Sequence, residues 1–163
     1  MANGNKMSYG TILDNFRDKY VNDNKEHLIA IDKDGFAPVL IHGDSNSVGY
    51  RHEVVVGMHI IHNHPNNGSF SRADLRFKDG ASETGVTASG RTQDYVFEKT
   101  DKFDNTAFQR ALTKSPVTDS YSRKPGETPE QALQRVDKAT NNWLRANQKR
   151  YGYKFRIIKR SNG

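Results

Sequence analysis

The spacing of apolar residues predicts a helix near the start of the chain and a pair of strands after it. Over about 11–22, four apolar side chains recur at intervals typical of the buried face of a helix: Ile12, Leu13, Phe16 and Tyr20. A short apolar stretch over 26–32 is followed by an Asp-Gly turn and by a second apolar stretch over 37–41. These two segments are therefore expected to form a β-hairpin.

Later patterns predict three more strands and two more helices. Alternating residues favour strands over 84–88 and 94–99, and an apolar stripe over 105–114 favours a short helix. Thr128, Pro129 and Gln131 form a capping box, which predicts a helix that ends near Gly152. A terminal strand then has Tyr153, Phe155 and Ile157 on one face and mostly basic residues on the other, and is expected at a sheet edge.

These elements predict an α/β (α+β) fold in which helices flank a mixed, mostly antiparallel central sheet. The segment 51–56 fits either a short helix or a strand, and its pattern does not decide between them. At 163 residues the chain suits one domain with a modest core. No apolar run approaches about 20 residues and no secretory signal is visible, so we expect a soluble, cytoplasmic protein.

Candidate chemistry lies where a buried strand over 58–64 ends. His62 and His64 are two residues apart, so their imidazoles point to the same face of the strand, and Pro65 ends its hydrogen bonding. After a glycine-containing loop, Ser71 and Asp74 predict the start of a helix over about 71–79, which can bring Asp74 back to the histidines. Two imidazoles, one carboxylate and an open position are the ligand set of a catalytic zinc.

This motif, His62-Asn63-His64-Pro65 followed by Ser71-Arg72-Ala73-Asp74, resembles the signature of the JAMM (JAB/MPN) zinc metalloproteases. It is most similar to the versions in RadC-type proteins, phage head-morphogenesis proteins and polymorphic toxins. Five residues separate Pro65 from Ser71, a shorter interval than in many members. The resemblance covers roughly 26–99.

The resemblance implies a JAB/MPN-like fold with the layering of cytidine deaminases, and Zn²⁺-dependent hydrolysis of a peptide or isopeptide bond. His62, His64 and Asp74 would bind Zn²⁺, Glu26 would be the general base, and Ser71 would stabilise the oxyanion. The substrate would be a protein or peptide. A phage or bacterial toxin origin is implied, with delivery in a phage particle or by a toxin system as a possible route.

Several alternatives stay open. Glu53 is a rival to Glu26 as the base, because spacing alone does not establish proximity. His59 should point away from His62, and the remaining histidines are not expected to bind metal: His27, His42 and His52. A non-enzymatic JAB-fold module, structural or nucleic-acid-binding, and a metal-dependent nuclease are the alternative functions.

The charge distribution keeps a nucleic-acid role open. The net charge of +6 is uneven, because residues 101–163 contain 14 Lys and Arg against 6 Asp and Glu. A basic surface of this kind would permit at most weak nucleic-acid contact.

We divide the chain into four parts: a flexible leader (1–10), a JAB/MPN-like metal-site domain (11–114), a linker or mobile loop (115–127), and a basic helix and strand packed on the domain (128–163). The chain has no cysteine, which excludes disulfides and thiolate metal ligands.

Overall fold

A computed structural model describes residues 8–45 and 47–160. Its centre is a six-stranded sheet in the order β2-β1-β3-β4-β5-β6. The strands are β1 (His27–Ile31), β2 (Val39–His42), β3 (His59–Asn63), β4 (Gly85–Ser89), β5 (Gln93–Lys99) and β6 (Tyr153–Lys159). β3 and β4 are parallel, and every other neighbouring pair is antiparallel. The predicted α+β class with a mixed, mostly antiparallel sheet is confirmed.

Helices cover both faces of the sheet. They are α1 (Tyr9–Tyr20), α2 (Asn105–Thr113), α3 (Pro129–Ala146) and α4 (Gln148–Tyr151). On one face, the buried side of α1 packs on Ile31 and Ile61. On the other face, a larger aromatic core joins residues of α2, α3 and α4 to the sheet. Within the described residues, no helix has the length and apolar character needed to cross a membrane.

Side chains along β3 alternate between the two faces of the sheet, and this alternation decides which face each histidine occupies. Ile61 belongs to the core under α1, whereas Ile60 belongs to the core on the opposite face. His59 contacts the Tyr9 ring of α1 edge to face, at a centroid distance of 5.2 Å. His62 lies two residues from Ile60 and therefore shares its face, away from α1. The expected opposite orientation of His59 and His62 is thus observed.

The first helix spans Tyr9–Tyr20, two residues earlier at each end than the predicted 11–22. The first helix begins at Tyr9, because the Ser8 side chain caps it by accepting the N–H of Thr11. The remainder of the predicted flexible leader, residues 1–7, lies outside the described residues. The undecided segment 51–56 contains a single 3₁₀ turn, His52–Val54.

The predicted helix over 71–79 is wrong, since only a 3₁₀ turn forms there, Ala73–Leu75. The chain leaves this turn in an extended conformation at Arg76, and Phe77 is then buried against Phe97 and Phe108. Side chains of α2 satisfy the carbonyl groups that a longer helix would have bonded, because Gln109 donates to the Leu75 carbonyl at 2.8 Å. Burial of an aromatic ring therefore overrides the local helix signal.

The C-terminal helix is interrupted. The capping box at Thr128 is present, but α3 ends at Ala146 and a short α4 follows. Asn147 marks the break, and its side chain donates to the Trp143 carbonyl at 2.8 Å. Gly152 ends α4 with φ 81°, and a Cβ atom there would lie 2.4 Å from the Lys102 carbonyl oxygen. Only glycine fits this turn into β6.

Residues 115–127 are irregular, yet they are packed. Val117 is fully buried, and its carbonyl accepts a hydrogen bond from the Arg72 guanidinium at 3.1 Å. The Asp119 carboxylate accepts the N–H of Ala73 at 2.8 Å. The segment thus holds the 3₁₀ turn that carries Asp74, a role beyond that of a linker.

Candidate metal centre

A cavity of about 510 Å³ lies beside the ends of β1 and β3, on the face opposite α1. Its wall includes the three predicted metal ligands, the predicted base and the predicted oxyanion residue: His62, His64, Asp74, Glu26 and Ser71. These residues come from three separate stretches of the chain. The fold therefore brings the predicted site residues to one place.

His62 lies near the end of β3, and His64 is the first residue after this strand. Their Nε2 atoms are 2.8 Å apart. The backbone N–H of His64 donates to the Ser89 carbonyl at 2.8 Å and so extends the contact with β4. The Nδ1 atom of His64 donates to the Gly68 carbonyl at 2.9 Å. This bond directs Nε2 into the cavity, the usual arrangement of a histidine that binds metal.

Asp74 faces both imidazoles from the 3₁₀ turn. Its Oδ1 atom is 3.3 Å from Nε2 of His62, and its Oδ2 atom is 3.2 Å from Nε2 of His64. Two reciprocal hydrogen bonds hold it in position: Ser71 N–H donates to Oδ2 at 2.9 Å, and Asp74 N–H donates to the Ser71 hydroxyl at 3.2 Å. The capping pattern seen in the sequence is real, although the helix it suggested is only one turn long.

Glu26 approaches from the residue before β1. Its backbone is fixed on both sides, because Glu26 N–H donates to the Asp44 carbonyl and Gly43 N–H donates to the Glu26 carbonyl, each at 2.7 Å. One carboxylate oxygen of Glu26 and one nitrogen from each of His62 and His64 lie within 4.8 Å of one another. Burial raises the pKa of Glu26.

The electrostatics of the cavity depend on the carboxylate between the histidines. Burial by itself would lower the pKa of His64, but the Asp74 carboxylate and the Gly68 carbonyl outweigh it and raise the pKa to about 9. Burial would likewise raise the pKa of Asp74, yet the two imidazoles hold it well below its usual value. Without a metal, the cavity therefore favours an Asp74 carboxylate paired with an imidazolium.

The donor set fits a zinc ion. Zn²⁺ binds imidazole nitrogen and carboxylate oxygen at about 2.0–2.2 Å, and the nitrogen and oxygen atoms that converge here are close enough to share one ion. His62 and His64 belong to every plausible set, with Asp74 or Glu26 as the third ligand. Of these two carboxylates, Asp74 contacts both histidines directly, and its lowered pKa keeps it ionised.

The remaining candidate residues lie elsewhere. Glu53 is in the exposed 3₁₀ turn, where its nearest described cation is Arg51 at 3.8 Å, and it is not part of the cavity wall. His52 donates a hydrogen bond from Nδ1 to the buried carboxylate of Glu83 at 3.0 Å. His59 bonds Thr87 on the opposite face of the sheet at 2.7 Å, and burial lowers its pKa to about 4.

The C-terminal part supplies residues that sequence reasoning missed. Tyr121 and Asp119 line the cavity from the segment before α3. From α3, the Asp137 carboxylate accepts the N–H of Ser69 at 3.1 Å, and Ser69 in turn donates its hydroxyl to Asn141 at 2.6 Å. These contacts join segments about 70 residues apart, and no local sequence pattern signals them.

Comparison with known proteins adds no identification. No protein-family model matches the chain, no curated protein matches its sequence, and no solved structure matches its fold. The resemblance to JAMM proteases therefore rests on the motif residues alone.

Proposed function

We propose that this protein is a zinc-dependent hydrolase of peptide or isopeptide bonds, similar in its site to the JAMM metalloproteases. The observation that carries the proposal is the convergence of Glu26, His62, His64 and Asp74 on one cavity, with Ser71 beside them. In the sequence they were nominated by a motif alone. Their proximity in the fold is an independent requirement of the same chemistry.

In this proposal His62, His64 and Asp74 hold the metal. When bound, Zn²⁺ would make a water molecule more acidic and would polarise the substrate carbonyl. The protein's part is to keep the ligands oriented. Gly68 does so for His64 through Nδ1, and Ser71 does so for Asp74 through its N–H.

Glu26 is suited to move a proton. Its carboxyl lies near the two histidines. Burial raises the pKa of Glu26 towards neutral pH, where a group can both accept and donate a proton. Ser71 uses its oxygen to accept the N–H of Asp74, which leaves the hydroxyl hydrogen for an oxyanion in the cavity. The two side chains thus have separate roles, proton transfer and charge stabilisation.

The wall of the cavity favours an amide substrate over a phosphodiester. It includes three carboxylates, those of Glu26, Asp74 and Asp119. Among the described residues of the wall there is neither a lysine nor an arginine. A phosphodiester would find no lysine or arginine in this wall to pair with its negative charge, so the bound metal ion would have to offset that charge, whereas a peptide bond is neutral. The nuclease alternative is therefore less favoured.

The test combines metal analysis with one conservative variant. The purified protein is expected to contain one Zn²⁺ and to cleave quenched peptides or an ε-linked lysine conjugate. Glu26→Gln should keep the zinc and lose activity by about 10²- to 10⁴-fold, because an amide cannot accept the proton. Glu53→Gln is the matched control and should retain activity. Absence of stoichiometric zinc, or normal turnover by Glu26→Gln, would contradict the proposal.

Weak nucleic-acid contact through the C-terminal part is a second candidate role. The side chains of Lys154 and Arg156 are exposed on β6, away from the cavity wall. If several such cations neutralise phosphates, the affinity for DNA must fall linearly with salt on logarithmic axes. We expect binding only at low salt, and its loss when Lys149, Arg150, Lys154 and Arg156 are neutralised together. Binding unaffected by these four substitutions would exclude this surface.

A further inference from the structure

A second pair of imidazoles lies outside the candidate centre. His27 at the start of β1 is directly opposite His42 at the end of β2 in the antiparallel register. Their Nδ1 atoms are 2.6 Å apart, even closer than the Nε2 atoms of His62 and His64. His27 alternates with Leu28, which faces the cavity, so His27 lies on the α1 face of the sheet. The two pairs are thus on opposite faces.

Asp23 gives this pair the support typical of a metal site. Its Oδ2 atom is 2.7 Å from Nε2 of His27, so the carboxylate accepts the Nε2 hydrogen. The neutral His27 ring then has its lone pair on Nδ1, the atom that faces His42. A carboxylate behind a histidine is the common second partner of metal-binding imidazoles. The Tyr20 ring stacks on His27 at a centroid distance of 4.2 Å and holds its plane.

One of the two rings is open to solvent. His27 is buried, with only 7 % of its surface exposed, whereas His42 is exposed. An ion that replaces the shared proton between the two Nδ1 atoms would therefore reach solvent on the His42 side. A modest rotation of the exposed His42 ring would adjust the separation of the two Nδ1 atoms to that of two ligands of one ion.

We propose that His27 and His42, supported by Asp23, form a second binding site for a divalent transition-metal ion. Imidazole nitrogen favours Cu²⁺, Ni²⁺ and Zn²⁺, and Cu²⁺ binds most strongly in this series. With two protein ligands and open coordination positions, the site binds more weakly than the candidate centre, which has three or four. This inference does not depend on hydrolytic activity.

The experiment is a Cu²⁺ titration of metal-free protein, followed by calorimetry and by electron paramagnetic resonance. Wild type should show two binding events, and the ion in the weaker one should show coupling to nitrogen. His42→Ala, at an exposed position, should lose only the weaker event. Asp23→Asn should weaken that event by about tenfold or more, because it removes the carboxylate behind His27. His52→Ala is the matched control and should keep both events.

Two outcomes separate this site from the candidate centre. His62→Ala should lose the tighter event and keep the weaker one, so that failure of either site is visible independently. The inference is overturned if His42→Ala binds Cu²⁺ with the same stoichiometry and affinity as wild type. It is also overturned if the nitrogen coupling of the weaker event persists in His42→Ala.

Discussion

His59 and His64 lie five residues apart near one strand, on opposite faces of the sheet, and their acid–base properties diverge. Both are largely shielded from water, and His64 is 8 % exposed. His59 bonds a neutral partner, Thr87, and burial lowers its pKa to about 4. His64 faces a carboxylate, Asp74, and its pKa is raised to about 9. The same side chain is thus kept neutral on one face and charged on the other.

The difference shows that burial alone does not make a cation site. Burial favours the neutral imidazole in both places, and the Asp74 carboxylate, together with the Gly68 carbonyl, reverses the outcome at His64. A carboxylate that stabilises an imidazolium proton can also serve as a ligand when a metal ion takes the proton's place. Among the described residues, the hydrogen-bond partner of His59 is a hydroxyl, and the Arg156 cation lowers the pKa of His59 further.

The largest effect we predict is on zinc affinity. His62→Ala or His64→Ala should weaken Zn²⁺ binding by roughly 1,000-fold, since each removes one of about three protein ligands that share a large binding energy. The measurement is competition with a chromophoric chelator at constant pH.

His59→Gln provides the contrast from the other face. Glutamine can still bond Thr87, so this variant should keep the wild-type zinc affinity within a few-fold. Equal losses in His59→Gln and His64→Ala would mean that zinc affinity follows the stability of the sheet and not ligation in the cavity.

The second prediction removes the carboxylate that separates the two faces. In metal-free Asp74→Asn the pKa of His64 should fall from about 9 to below its ordinary value of 6.5, and so approach that of His59. Proton nuclear magnetic resonance of the imidazole Cε1–H signals across pH 4–10 measures both groups. A His64 pKa that stays near 9 would assign the shift to the other groups that raise it, the Gly68 carbonyl and then Glu26.

The stability of the metal-free protein should follow the same linkage. Because the folded pKa of His64 is raised, its contribution is complete below pH 6.5 and is lost as the pH rises through about 9. Because the pKa of Asp74 is lowered, its contribution is present above its ordinary pKa of 3.8 and is lost in stronger acid. Both contributions are complete between pH 3.8 and 6.5. In this range, the difference in unfolding free energy between wild type and Asp74→Asn should therefore be largest, as measured by urea denaturation.

The local part of the site could be predicted, because it depends on short-range geometry. The two-residue period of a strand sets His62 and His64 on one face, and the Ser71–Asp74 capping pattern fixes the carboxylate at the turn. The prediction of a helix over 71–79 was wrong because of long-range packing: Phe77 is buried against rings that are 20 or more residues away in sequence. Spacing cannot reveal such packing.

The same limit hid the contribution of the C-terminal helix. Its capping box was visible in the sequence, but the partner of its polar inner face was not, because Ser69 lies 68 residues before Asp137. The uneven charge drew attention to the basic outer face instead. Asp137 faces the loop that follows His64, which makes it a support of the candidate centre.

The smallest effect we predict tests that support. Asp137 accepts the N–H of Ser69, and the neighbouring Gly68 carbonyl accepts from Nδ1 of His64, so Asp137 acts on the ligand through two short links. Asp137→Ala should lower zinc affinity by about tenfold, the lower end of the range for groups that orient a ligand. Lys138→Ala, at the next and exposed position of α3, should leave the affinity unchanged. The same chelator competition measures both variants, with circular dichroism to verify that each is folded. An Asp137→Ala protein that is folded and binds zinc like wild type would show that the loop holds His64 without help from α3.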